Sequence, residues 1–105
     1  MALAGSATLS NSTLSFNQAL GGNGGSGGNG GNGFGGGIYI ASGAAVTVTR
    51  STITNNQADG GSGEGGGSDG QGIGGGVYNL GTFTFDMTTV IAHNHASTSH
   101  DNIFP

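Results

Sequence analysis

The chain has 105 residues, of which 26 are glycine, one is basic, five are acidic and none is cysteine, with a formal net charge of −4. With 32% apolar residues the core is limited to a few dozen side chains, which bounds residues 1–105 to one small domain. Arg50 alone cannot track a phosphate backbone, the acidic balance disfavours an anionic membrane, and no apolar run is long enough to span one.

In chain order, Met1–Ala7 has neither the basic n-region nor the apolar length of a secretory signal. Ala7-Thr8-Leu9-Ser10 then alternates apolar and hydroxyl residues, as a half-buried strand does. Leu14-Ser15-Phe16-Asn17-Gln18-Ala19 follows, and a glycine-rich insertion occupies 20–37. Val46-Thr47-Val48-Thr49 restores the alternation, Ile53-Thr54-Asn55-Asn56-Gln57-Ala58 follows it, and a second insertion occupies 59–76. Phe83-Thr84-Phe85-Asp86 and Ile91-Ala92-His93-Asn94-His95-Ala96 complete the series. No helical stripe is present, and glycine opposes helix in any case.

These segments are copies of one unit. Leu14, Ile53 and Ile91 align at offsets of 39 and 38, and each is followed three residues later by an asparagine, Asn17, Asn56 or Asn94. Gly35-Gly36-Gly37-Ile38-Tyr39 returns as Gly74-Gly75-Gly76-Val77-Tyr78, again 39 residues on. About 22 residues remain in each unit once the glycines are set aside, enough for three short strands with turns. Short strands that cannot cover their own apolar face, repeated at fixed spacing, stack into a solenoid. The stacking predicts inward ladders Ala7/Val46/Phe83, Leu9/Val48/Phe85 and Leu14/Ile53/Ile91, with Thr8/Thr47/Thr84 outward. Asn17, Asn56 and Asn94 are expected to form a structural amide ladder at a turn, since asparagine bonds nearby backbone and tolerates left-handed dihedrals. Gly36, Gly37, Gly75 and Gly76 mark the recurring glycine turn.

Gly-Gly-Ile/Val-Tyr followed by aliphatic-x-x-Asn-x-Ala resembles the repeats of right-handed parallel β-helices on bacterial surfaces. The polymorphic outer membrane protein repeats, with Gly-Gly-Ala/Ile and Phe-x-x-Asn motifs, are similar. Leu14, Ile53 and Ile91 replace that family's phenylalanine, and the long insertions depart from its minimal pattern. The resemblance covers nearly all of the chain outside the insertions, including Ser99–Phe104, which looks like the close of such an array. It implies an extracellular or cell-surface location but no ligand, because many functions share that fold. The expected architecture is therefore all-β: a short right-handed parallel β-helix of about three coils with two long glycine-rich insertions.

Residues 21–32 read Gly-Gly-Asn, Gly-Gly-Ser, Gly-Gly-Asn, Gly-Gly-Asn, a period of three that fragments in the second block. Two readings stand side by side. One is a disordered Gly/Ser-rich linker. The other is ordered packing of polyproline II-type segments, whose outward amides and carbonyls bond between blocks or between subunits. In the second, Asn23, Ser26, Asn29 and Asn32 form a polar face available for lateral contacts.

Other chemistry is sparse. Gly60-Gly61-Ser62-Gly63-Glu64 is similar to a calcium-binding Gly-Gly-x-Gly-x-Asp repeat, but its closing apolar residue is missing and glutamate replaces aspartate. His93 and His95 are expected on one face of an extended segment, with only His100 as a further ligand. No cofactor or metal is expected, with calcium a minor alternative. The strands carry one acid, Asp86, and one base, Arg50, which excludes the paired carboxylates of glycoside cleavage. The function expected is a non-enzymatic, self-associating structural subunit that stacks end to end into a filament or surface layer, partnered by itself. A fragment of an adhesin-like binding module is the alternative. Ice binding through Thr47-x-Thr49 ranks below both, because the pair decays to Thr8-x-Ser10 and Thr84-x-Asp86.

Overall fold

The computed structural model describes all 105 residues. It is all-β, with 15 short strands in parallel sheets and no helix, an arrangement compatible with a β-solenoid. The chain visits the sheets in the same order on each pass. The first pass holds β1 (Ala2–Leu3), β2 (Ser6–Ser10), β3 (Thr13–Ser15), β4 (Gln18–Leu20) and β5 (Gly33–Phe34). The second holds β6 (Ile38–Ile40), β7 (Ala45–Thr49), β8 (Thr52–Thr54), β9 (Gln57–Asp59) and β10 (Gly72–Ile73). The third holds β11 (Val77–Asn79), β12 (Thr82–Phe85), β13 (Val90–Ala92) and β14 (His95–Ala96), before β15 (Ile103–Phe104) returns to the first sheet. The sheets are β1-β6-β11-β15, β2-β7-β12, β3-β8-β13, β4-β9-β14 and β5-β10.

Register follows the sequence repeat. Ala7, Val46 and Phe83 are partners, as are Leu9, Val48 and Phe85, and Thr8, Thr47 and Thr84. Leu14, Ile53 and Ile91 form the equivalent column in the next sheet. The fully enclosed core belongs almost entirely to the second pass: Ile38, Ile40, Ala44, Val46, Val48 and Ile53, joined by Val77. Leu3, Leu9 and Leu14 pack on it from one side, and Phe83, Ile91 and Ile103 from the other, all only partly covered.

Three features differ from the sequence expectation. Each full pass has five strands rather than three, because β5 and β10 are two-residue pairings too short to show a period. The insertions 20–37 and 59–76 are correspondingly trimmed: β4 ends at Leu20, β9 ends at Asp59, and β5 and β10 lie inside them, so only 21–32 and 60–71 leave the stack. Phe85 is not an inside residue; it is 45% exposed, because β12 ends its sheet and nothing lies beyond it.

The corners are left-handed at matching positions. Phe16, Asn55 and His93 have φ of 58°, 56° and 58°, and Asn11 and Arg50 have 50° and 46°. The left-handed residue thus precedes each ladder asparagine rather than being it. At the glycine turn, a Cβ on Gly36 would collide with the Gly75 and Gln57 carbonyls, and one on Gly75 with the His95 carbonyl. Side chains are excluded there by the close approach of successive passes.

Because Ile53 is fully enclosed and Ile91 lies at an open side, truncation must cost more at Ile53. Ile53→Ala is expected to lower stability by about 2–5 kcal/mol and Ile91→Ala by clearly less in urea unfolding, since a cavity beside solvent collapses more readily.

Candidate functional site

The polar side chains that the fold brings together form ladders along the stack. Asn56 Oδ1 accepts from the Asn17 backbone N–H (3.0 Å) and Nδ2 (3.1 Å). Asn94 Oδ1 accepts from the Asn56 N–H and Nδ2, both at 3.0 Å. The same amides donate sideways, Asn56 Nδ2 to Leu14 O and Asn94 Nδ2 to Ile53 O, each at 3.0 Å. Asn56 is 1% exposed, so its amide is spent entirely within the protein. Gly37 and Gly76 lie against the Asn56 and Asn94 amides, where a Cβ would stand 3.1 Å and 2.8 Å from the respective Nδ2 atoms.

A hydroxyl ladder that sequence reasoning missed runs beside the amides. The Ser12 N–H donates to Ser51 Oγ at 3.0 Å, and the Ser51 N–H donates to Thr89 Oγ1 at 3.4 Å. Its signal was available, since Ser51 and Thr89 repeat Ser12 at the offsets of the asparagines. Thr89 also donates to Asp86, and this bond, opposed by some desolvation and helped by the Arg50 N–H and the Thr88 hydroxyl, holds the Asp86 carboxyl below its usual 3.8.

The two glycine blocks form one hydrogen-bonded arm. Within the first block, the Gly28 and Gly31 N–H groups donate to Gly25 and Gly22 O, both at 2.7 Å; within the second, Gly67 and Gly70 donate to Glu64 and Gly61 O. Between blocks, Gly21, Gly24, Gly30 and Gly33 donate to Asp59, Ser62, Ser68 and Gln71 O at 2.8 Å each. Asparagine completes the contact: Asn23, Asn29 and Asn32 Oδ1 accept from the Ser62, Ser68 and Gln71 N–H groups at 2.9, 2.9 and 2.8 Å. The Oδ1 atoms of these three side chains, expected as lateral contacts, are therefore taken up inside the chain, while the residues themselves stay exposed. Ser26 sits exposed at the tip of the first block and makes no hydrogen bond. At Gly21, Gly24, Gly30, Gly61, Gly67 and Gly70 the segments touch through their backbones and leave no room for a Cβ, whereas Gly22 and Gly25 face open space. A Cβ on Gly70 would collide with the Gly31 carbonyl, and one on Gly30 with that of Gly61.

On the outer face of the first sheet, Tyr39, Tyr78 and Phe104 stack in register, with ring centroids 5.3 and 4.7 Å apart. Phe34 stacks on Tyr78 at 4.5 Å, and His100 meets Phe104 edge-on at 4.9 Å. Sequence reasoning missed this column too. The aliphatic–aromatic pairs Ile38-Tyr39, Val77-Tyr78 and Ile103-Phe104 carry its signal.

The histidines do not converge. His93 is at a left-handed corner, so the segment to His95 is not extended and the expected shared face is absent. His95 Nδ1 lies 3.9 Å from Asp101, with both side chains more than half exposed. No group of three or more histidine, aspartate or glutamate side chains is placed to hold a metal ion, and the fold encloses no pocket. Asp59 is engaged by the Gln57 amide, and Asp69 by the Gly63 N–H at 2.8 Å. No family model matches the chain, and no curated protein or solved structure is significantly similar to it.

The amide ladder carries an unequal load along its length. Asn56→Ala strips partners from both neighbours inside the stack and is expected to cost about 2–4 kcal/mol, whereas exposed Asn17→Ala is expected to cost about 1 kcal/mol. Chemical denaturation of the two variants measures the difference, and equal losses would contradict a larger contribution from the enclosed middle of the ladder.

Proposed function

We propose that the chain is a non-enzymatic structural subunit, a right-handed parallel β-solenoid of about three coils, that associates with further copies through the ends of its stack. The observation that carries this reading is the distribution of covered core. Val48 and Ile53 are completely enclosed, while Leu9, Leu14, Ile91 and Phe85, which continue the same columns, are partly open, Phe85 at 45%. Repeat arrays need polar outer passes to stay apart, and free strand edges template pairing with another chain. The terminal strands of three sheets, β2, β3 and β4 on one side and β12, β13 and β14 on the other, each have one partner only. The right hand rests on the near-universal preference for right-handed crossovers between parallel strands. The extracellular or surface location rests on the likeness of the Gly-Gly-Ile/Val-Tyr and aliphatic-x-x-Asn motifs to surface β-helix repeats.

A second reading is favoured by the same open edges: as part of an adhesin-like array, the chain would meet further passes there. The ice-binding reading is weaker, since Ala45 and Asp86 interrupt the hydroxyl columns beside Thr8, Thr47 and Thr84.

Sedimentation velocity on the whole chain at increasing concentration is the test. The expected result is a reversible rise in mass beyond one chain, with particles larger than a single subunit in negative stain. A monomer that persists at every concentration contradicts self-association.

A further inference from the structure

The two ends of the stack differ chemically, and the difference lies in residues 97–104. After β14 the chain omits a third glycine block and crosses directly to β15, so Phe104 lies 26 residues beyond its partner Tyr78 where Tyr78 lies 39 beyond Tyr39. This short crossing supplies what a following pass would supply. Asn102 Oδ1 accepts from the Asn94 N–H (3.3 Å) and Nδ2 (3.1 Å). Those are the two bonds that each ladder asparagine gives to the one above it. Asp101 Oδ1 takes the Ala96 N–H at 3.0 Å. On the arm, the Gly60 and Gly72 N–H groups are met by Ser97 Oγ and Thr98 Oγ1, both at 3.1 Å, and the Gly63 N–H by Asp69 at 2.8 Å. Their first-block counterparts, Gly21, Gly33 and Gly24, donate instead to the backbone of the second block. The third-pass side is thus covered by β15 over the first sheet and by side chains over the amide ladder and part of the arm, while β12 and β13 keep free outer edges.

On the first-pass side only the first sheet is covered, by Met1–Leu3 paired to β6, and neither the amide ladder nor the arm has such a closure. The N–H groups of Asn23, Asn29 and Asn32 make no bond within the chain, although their second-block counterparts Ser62, Ser68 and Gln71 each take an asparagine side chain. The outer edges of β2, β3 and β4 are unpaired, and Leu3, Leu9 and Leu14 floor the face between them.

Head-to-tail growth meets a geometric obstacle. The first sheet has four strands where the β2, β3 and β4 sheets have three. Joining β12 to β2, β13 to β3 and β14 to β4 of a neighbour would put β15 of one copy and β1 of the next at the same level. We infer that the self-association proposed above, on which this inference rests, is a closed pairing of two copies through their first-pass faces, with residues 97–104 a cap that stops growth at the other end. A two-fold contact of like surfaces closes on itself and leaves no free end to extend. The size is compatible with this: the molecule measures 46 × 27 × 17 Å, so its broadest side has an outline of at most roughly 1,200 Å², against about 800 Å² per partner in a standard interface.

The test combines sedimentation velocity with hydrogen–deuterium exchange of the wild-type chain at low and high concentration. The expected mass reaches a plateau at two chains, with association slowing exchange in residues 6–32 and leaving 82–92 unchanged. Mass that grows without limit, or slowed exchange at 82–92 as well, overturns the face-to-face pairing while leaving self-association intact. A monomer at all concentrations overturns both.

Discussion

Everything in this molecule depends on the backbone of one pass being hydrogen-bonded by the backbone of the next. Parallel pairing fixes adjacent passes about 4.8 Å apart, and that spacing decides which residue is allowed where. In the stack it forces equivalent side chains into columns, so Leu14, Ile53 and Ile91 must all be aliphatic and Asn17, Asn56 and Asn94 can share their amides. At Gly36 and Gly75 the same spacing brings carbonyls where a Cβ would stand. In the arm, with no apolar core, it is the whole basis of order. Gly24 and Gly30 donate across the blocks while Asn23 and Asn29 accept back.

This accounts for the unusual composition. A quarter of the chain is glycine, and glycine carries the largest entropy loss on ordering. The arm offsets that loss by using the glycine amides as hydrogen-bonding groups while the triplet's third position supplies a side-chain acceptor. Asparagine appears there in the first block, which has a second block to serve. The corresponding residues of the second block are Ser62, Gly65, Ser68 and Gln71, and no third block lies above them.

Much of this was legible in the sequence, and the parts that were not share a physical reason. The columns through Val46, Val48 and Ile53 could be read because alternation and the repeat offset both mark them. The asparagine ladder could be read from spacing alone. The strands β5 and β10 could not, since two residues hold no period. The left-handed corners at Phe16, Asn55 and His93 have no common side chain to announce them, and they are set by the turn rather than by residue preference. Asn102 occurs once, so no comparison of repeats finds it; only the fold brings it over Asn94. Phe85 matched its column in register and misled in burial, because a sequence repeat does not say which copy lies at the edge of the stack.

Order in the glycine arm rests on pass-to-pass hydrogen bonds, since residues 21–32 and 60–71 offer no apolar contact to hold it otherwise. Residue-resolved amide exchange by NMR on the dilute protein measures this directly. Gly24, Gly30, Gly33, Gly61 and Glu64, whose N–H groups are bonded between blocks, are predicted to exchange slowly, while Asn23 and Asn29 in the same segments exchange at the rate of free peptide. Uniformly fast exchange through residues 21–32 and 60–71 would contradict the account and return the blocks to flexible loops.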